Sequence, residues 1–168
     1  MSKDRRELFR EVGDAFRLNG QGQDAMDAAA AAFLGIHRTD LALVDVLQLA
    51  GRISAGELAT RAALSPGAVT AALDRLERIG YVRRVRDEQD RRRVLVEVTD
   101  EMLEESQRVY GPLAERSVEL LAKYSDEQLR AIIEMLRTGT AMQLERAAEL
   151  RAELSAEPAA RPRRAAGR

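Results

Sequence analysis

Apolar residues along this chain recur mostly at helical spacing, with one short stretch at a spacing of two. Between Lys3 and Leu18, the residues Leu8, Val12, Ala15 and Phe16 make a single stripe. Two glycines in "NGQGQ" (19–23) interrupt it. An alanine-rich segment then runs from Asp24 to Leu34, either the second half of a kinked helix or a helix of its own. Thr39 is placed to cap a helix striped by Leu43, Val46, Leu47 and Ala50, which Gly51 ends.

Two helix starts then follow in quick succession. Ser54 and Glu57 have the spacing of a capping box, in which each side chain satisfies an orphan amide of the first turn. Ser65 and Pro66 supply a hydroxyl cap followed by a residue already held at helical φ. The second of these helices buries Val69, Leu73 and Leu76 and stops at Gly80. The period then drops to two. Tyr81–Arg86 and Val94–Val98 read as strands, with Val94, Val96 and Val98 on one covered face. Two helices joined by a tight turn and followed at once by a hairpin make a winged helix-turn-helix arrangement.

Thr99 caps a further helix to about Tyr124, with Gly111-Pro112 as an internal kink. Ser125 and Gln128 form another capping box. The last helix, striped by Leu129, Ile132, Ile133, Leu136, Leu144, Ala147, Leu150 and Leu154, would be ~45 Å long. That is longer than so small a protein, so part of its stripe needs a partner other than its own winged domain. The final "EPAARPRRAAGR" is expected to be disordered. The fold class is thus mostly α with a small antiparallel β-hairpin: a winged helix-turn-helix plus long dimerisation helices. Residues 1–36 and 100–154 would form the dimerisation part, 38–99 the DNA-binding domain and 155–168 a tail.

Composition narrows the function. The 168 residues are 45% hydrophobic and 33% charged but only 4% aromatic, which suits a helical protein. Cysteine is absent, excluding disulfides and thiolate metal sites. The start, "MSKDRRELFR", lacks the apolar centre of a signal peptide, and the longest apolar run, "AAAAAFLGI" (28–36), is too short to span a bilayer. These features lead to the expectation of a cytoplasmic protein without a membrane partner. One histidine, His37, and no glycine-rich phosphate loop argue against an enzyme and against a cofactor or metal. Beside a helix start, a lone histidine is more often a cap or packing residue than a ligand.

Net charge is −1, so attraction to a polyanion must be local. Between Ser65 and Arg93 stand eight arginines against five acids, a local excess of three positive charges. Such contrast is what phosphate attraction requires. With Val69, Leu73 and Leu76 inward, the helix beginning at Ser65 turns Pro66, Gly67, Thr70, Ala71 and Asp74 outward, flanked by Arg75 and Arg78. Small residues there would let the helix approach base edges.

The stretch "LSPGAVTAALDRLERIGYVRRVRDEQDRRRVLVEVT" (64–99) closely resembles the winged segment of MarR-type transcriptional regulators. The most specific match is Asp90-x-Arg92 followed after five residues by Val98-Thr99, with valine where the family usually has leucine. "ELATRAALSPG" and "RLERIGYVRR" agree as well. The resemblance implies a sequence-specific repressor that binds a palindromic operator in double-stranded DNA as a homodimer. It places Ser65, Gly67, Thr70, Ala71 and Arg75 nearest the bases in the major groove. It sends Arg92 into the minor groove with Asp90 orienting it or the loop, and gives Arg84, Arg86 and Arg91 to phosphates. It also implies release by a small aromatic or anionic effector, with Phe33, His37, Arg38 and Tyr110 as candidate contacts; Phe33 and Tyr110 read first as core. The competing reading is a protein–protein interaction module, in which the wing arginines would be solvated or paired with Asp87, Glu88 and Asp90.

Overall fold

The computed structural model describes residues 3–156. Among them are six helices and three short strands: α1 (Lys3–Leu34), α2 (Arg38–Ala50), β1 (Ile53–Ser54), α3 (Ala55–Ala62), α4 (Pro66–Arg78), β2 (Val82–Arg86), β3 (Val94–Val98), α5 (Asp100–Leu121) and α6 (Asp126–Ala156). The chain divides into two compact units, Met1–Pro112 and Leu113–Arg168. No helix among the described residues is long and apolar enough to cross a membrane.

The core lies in the first unit. Leu41, Leu43, Val44 and Leu47 of α2, Leu58 of α3, Val69, Leu73 and Leu76 of α4, Val96 of β3 and Met102 of α5 are all sealed from solvent. The last turns of α1 add Ala30, Ala31 and Leu34. Each of these side chains contributes about 1.5–3 kcal/mol on burial when it is a full aliphatic.

Local rules account for most boundaries. Ser54 Oγ accepts the Glu57 N–H at 3.2 Å, and Ser65 Oγ accepts that of Ala68 at 3.2 Å. The Ser54 box is only half formed, because the Glu57 carboxylate turns forward to Arg61 and not back to the cap. The Ser125 box is complete: Ser125 N–H donates to Gln128 Oε1 at 2.9 Å and Gln128 N–H to Ser125 Oγ at 3.3 Å. Thr99 Oγ accepts the Met102 N–H at 3.3 Å while its hydroxyl donates to Gly80 O at 2.6 Å, tying the start of α5 to the end of α4. Gly80 sits at φ +85°, with Gly80 N–H bonded to Glu77 O and Tyr81 N–H to Leu76 O. A side chain there would be strained, and its Cβ would come within 3.1 Å of the Glu101 carboxylate.

Three expectations need correction, and one point the sequence left open is decided. Thr39 is not the cap of α2; His37 is, in extended conformation and with no side-chain bond. Gly20 and Gly22 do not break α1, which is one helix of 32 residues, since glycine weakens a helix without forbidding it. The ribbon has a third strand: β1 pairs with β3, giving the antiparallel order β1-β3-β2. The three valines of β3 are not equally covered. Val82 pairs with Val98, Arg84 with Val96 and Arg86 with Val94, so all six share one face. Val96 is buried, but Val94 is 52% exposed because it lies at the far end of the ribbon, beside the wing loop.

α5 continues past Pro112, whose missing N–H leaves one gap in its hydrogen-bond ladder, and ends at Leu121, three residues before Tyr124. α6 continues to Ala156, about 46 Å of helix. The remainder of the tail, with Arg161, Arg163, Arg164 and Arg168, lies outside the described residues.

Candidate nucleic-acid interface

The site is built on α4 and the β2–β3 loop, both held by the core of the first unit. α3 ends at Ala63, which takes the left-handed conformation (φ 54°, ψ 40°) and lets the chain reverse into Ser65. α4 then buries Val69, Ala72, Leu73 and Leu76 and leaves Ser65, Gly67, Thr70 and Ala71 exposed. Ser65 Oγ is engaged as the cap, and Thr70 Oγ donates to Pro66 O at 2.9 Å. A Cβ added at Gly67 would meet nothing within 4 Å, so nothing within the described protein demands a glycine there. The face is low and open, the shape a groove-seeking helix needs.

Arg75 is placed differently from the expected base contact. Its guanidinium grips Asp40 of α2 through both carboxylate oxygens, with Nε to Oδ2 at 2.9 Å. Asp40 is 2% exposed, so this is a largely desolvated pair that locks α4 to α2. His37 and Thr39 line a shallow recess against α4 with Ala68, Ala71 and Arg75. Arg84 lies between Asp74, at 2.7 Å, and Glu77, both on α4. It is thereby a strut between ribbon and helix.

The wing loop is braced by its own acids. Asp87 Oδ1 accepts the N–H groups of Gln89 at 2.8 Å and Asp90 at 3.4 Å. Asp90 Oδ1 accepts the Arg92 N–H at 3.0 Å. Across the loop mouth, Asp87 N–H donates to Arg93 O and Arg93 N–H to Asp90 O. The bonds from the two aspartate side chains are local side-chain-to-backbone turns, and with the two backbone bonds they substitute for a regular ladder. Asp90 therefore holds the backbone beneath Arg92 and makes no ion pair with it. Of the three loop acids, Asp87 reaches Arg93 only at 3.7 Å, and Glu88 points to Arg52 at 3.6 Å. Arg78, Arg86, Arg91 and Arg92 have no acidic partner among the described residues and are exposed. The ion pairs take up Arg75, Arg83, Arg84 and Arg93, which leaves a positive edge of four arginines along α4 and the wing.

Sequence reasoning missed Arg52 and Glu97. Alternation puts Glu97 on the opposite face from the valines, where solvent would be expected, yet it is 8% exposed. Arg83 stands directly across the strand pair, and its Nε donates to Glu97 Oε1 at 2.5 Å. Arg52, from the turn before β1, closes on the other oxygen. Burial alone would raise the Glu97 carboxyl, but the two guanidinium bonds outweigh it and hold it below its ordinary value.

The four candidate effector contacts have separate partners. Phe33 is 58% exposed, not core, with the Arg108 guanidinium 5.0 Å from its ring centre. Arg38 pairs with Asp24 at 2.9 Å. Tyr110 is half-buried against the core; burial, then the charges of Asp45 and Asp27, push its phenol up. His37 faces the α4 recess. Among the described residues, no group of three or more His, Asp or Glu side chains could hold a metal ion.

Comparison with known proteins agrees with this geometry. The MarR family model matches residues 36–94, the segment from the start of α2 to the wing. An uncharacterized HTH-type transcriptional regulator of Bacillus subtilis (strain 168), YcgE, is 39% identical over 128 residues, covering 76% of this chain and 83% of that protein. A MarR family protein from Bacillus stearothermophilus has the same fold over 86% of this chain and 99% of its own, at a TM-score of 0.62 and 21% identity. A mutant of MarR from E. coli, solved in complex with operator DNA, aligns over 78% of this chain and 96% of its own, at a TM-score of 0.51 and 23% identity. The chain belongs to the MarR family of helix-turn-helix transcriptional regulators.

Proposed function

We propose that this protein represses transcription by binding a palindromic operator as a homodimer, and that a small aromatic or anionic effector releases it. The observation that carries the DNA reading is the pairing of an open, small-residue helix face with a braced wing whose Arg91 and Arg92 have no partner among the described residues. The E. coli relative bound to operator DNA supports it. The interaction-module reading leaves the wing arginines solvated or paired with Asp87, Glu88 and Asp90. Of these acids Asp87 reaches Arg93, Glu88 reaches Arg52 and Asp90 bonds the loop backbone, and the DNA reading is the one that gives the exposed Arg91 and Arg92 a counter-charge.

Ser65, Gly67, Thr70 and Ala71 would read base edges, Arg92 would enter the minor groove, and Arg86 and Arg91 would meet phosphates. Arg75 and Arg84 would contribute mainly by holding α4 and the ribbon in place. The homodimer reading is supported by exposed apolar residues on α1 (Leu8, Phe9, Val12, Phe16) and α6 (Ile133, Leu136, Leu144, Leu150). Two α4 helices would then address successive major grooves about 34 Å apart. For the effector, the support is Phe33 with Arg108 above it, a ring and a cation both open to solvent.

Selection of bound fragments from random duplexes, followed by anisotropy titrations at several salt concentrations, tests this. The expected result is a two-fold symmetric site whose affinity falls steeply, by roughly 10³-fold or more between 50 and 200 mM salt. No enriched site, or an affinity indifferent to salt, would sink the proposal.

A further inference from the structure

Glu97 has no place in the contacts just assigned, yet it is among the few buried charged residues of the first unit. Its surroundings are specific. Arg83 is its direct cross-strand neighbour on β2, and Arg52 arrives from the turn between α2 and β1. Arg52 also reaches Glu88, inside the wing loop, at 3.6 Å. The helical layer, the central strand and the loop are thus joined through one carboxylate and one guanidinium. Opposite faces of the ribbon are both secured: Arg84 ties one to α4, and Glu97 with Arg52 ties the other to the end of α2.

We propose that Glu97 is the positioning residue of the wing: by holding Arg52 and Arg83 together it fixes the angle at which the β2–β3 loop, and with it Arg92, leaves the body. This rests on the reading of the wing as a DNA contact. A two-stranded ribbon is soft in bend and twist, and the loop tip amplifies any rotation at its base. A guanidinium delivered in place loses less freedom on binding than one on a swinging loop. Removing the carboxylate charge also leaves two arginines, Arg52 on the β1 side and Arg83 on β2, on either side of the central strand without the anion between them, so the sheet has a reason to open.

Charge and positioning predict opposite signs for one substitution. Glu97→Gln keeps the volume and makes the winged unit more positive by one charge. Were Glu97 only a charge, the variant would bind DNA more tightly. Positioning predicts weaker binding, by about tenfold on a site with its best flanks. It further predicts that the loss nearly vanishes in an Arg92→Ala background, because Glu97 acts through that side chain. Glu97→Asp, with a carboxylate one carbon short, should recover part of the affinity.

The experiment pairs anisotropy titrations of this double-mutant cycle on the full chain with amide exchange of the free protein. Exchange at Asp87 and Arg93, whose N–H groups close the loop mouth, should quicken in Glu97→Gln while α4 amides are unchanged. Tighter or equal binding, a loss additive with Arg92→Ala, or unchanged loop exchange would overturn the proposal. Should Glu97→Gln fail to fold, Arg52→Ala at the half-exposed end of the tether must show the same coupling to Arg92 and the same loop exchange. If the unaltered protein binds no DNA, the DNA reading falls, while loop exchange still decides whether Glu97 holds the wing.

Discussion

Along α4, Val69, Ala72, Leu73 and Leu76 are each no more than 1% exposed, whereas along α6 Ile133, Leu136, Leu144 and Leu150 are each at least 43% exposed. The two helices carry the same kind of stripe, and a helix has no reason to build one unless something covers it. In the winged region the cover comes from the chain itself, as α2, α3 and the ribbon close over α4. Among the described residues of either unit, no such cover lies over the apolar stripes of α6 and the first half of α1. Under the proposed homodimer, the difference separates a part whose order is intrinsic from a part whose stability would depend on concentration, because a second copy would complete it.

The largest effect should come from placing charge in the uncovered stripe. Ile133→Asp with Leu136→Asp would bury four carboxylates in a two-fold interface, each costing about 3–5 kcal/mol when unpaired. Sedimentation should show monomers, and operator binding should be lost although α4 and the wing are untouched. The contrasting change is Leu76→Ala, which empties space in the intrinsic core and should cost about 2–5 kcal/mol of unfolding free energy at any protein concentration. Leu136→Ala, by comparison, should shift stability only where the dimer forms. A Leu136→Ala monomer as weakened as Leu76→Ala would erase the distinction between the two regions.

How far the sequence could foretell this divides along the same line. Caps at Ser54, Ser65, Thr99 and Ser125 were legible because they are bonds over three residues, decided by local chemistry. The hairpin was legible because alternating valines have no helical reading. β1 was not, since two residues are too few to show a period and Ile53–Ser54 is a strand only by pairing with β3. The glycines at 20 and 22 left open whether α1 was one helix or two, because a glycine weakens a helix without ending it. Site residues divide likewise. The open face of α4 follows from its buried stripe, but Arg75 and Glu97 take partners 35 and 45 positions away, and no local pattern announces those. Asp90 is an intermediate case: the resemblance gave it a role in orienting Arg92 or the loop, and the structure has it on the Arg92 amide.

That amide bond gives the next prediction, within the intrinsic region. Arg92→Ala should cost roughly 1–3 kcal/mol of binding and relax preference at A·T-rich flanks, where a narrow minor groove deepens the negative potential. Asp90→Ala should also weaken binding, although it removes a negative charge, because the Arg92 N–H loses its acceptor. Tighter binding by Asp90→Ala at fixed salt would mean the loop needs no internal brace.

A smaller change sits at the reversal between α3 and α4. Ala63 is held at φ 54°, the one described non-glycine residue at positive φ. Its Cβ makes that conformation costly, by about 1–2 kcal/mol, and glycine would remove most of the strain while adding entropy to the unfolded chain. Ala63→Gly should therefore raise stability by roughly 0.5–1 kcal/mol in denaturant melts, and leave DNA affinity unchanged because α4 keeps its place. A stability loss would show that the turn is not strained.

The smallest effect is expected where α1 meets the winged region. Asp45 of α2 is half-buried; burial first, and then the neighbouring Asp27 carboxylate on α1, push its carboxyl above the ordinary value. A folded-state pKa above the unfolded one means that the native chain holds the proton more firmly. Stability conferred by this group is therefore complete in acid and declines as pH rises from the unfolded pKa, about 3.9, through the raised one. Once ionised, the residue is a charge the fold would rather not carry. Asp45→Asn should raise Tm at pH 7, and the advantage over the unaltered chain should shrink steadily as the buffer is brought down towards about pH 4. Glu97 titrates with the opposite sign, since its folded-state pKa is depressed and its contribution is lost in acid. The Asp45→Asn variant should thus leave the acid weakening of the wing in place while removing the alkaline cost at the α1–α2 contact. An Asp45→Asn variant no more stable than the native chain at pH 7, with the difference appearing only in acid, would reverse the assigned sign and place Asp45 in a favourable ionic contact.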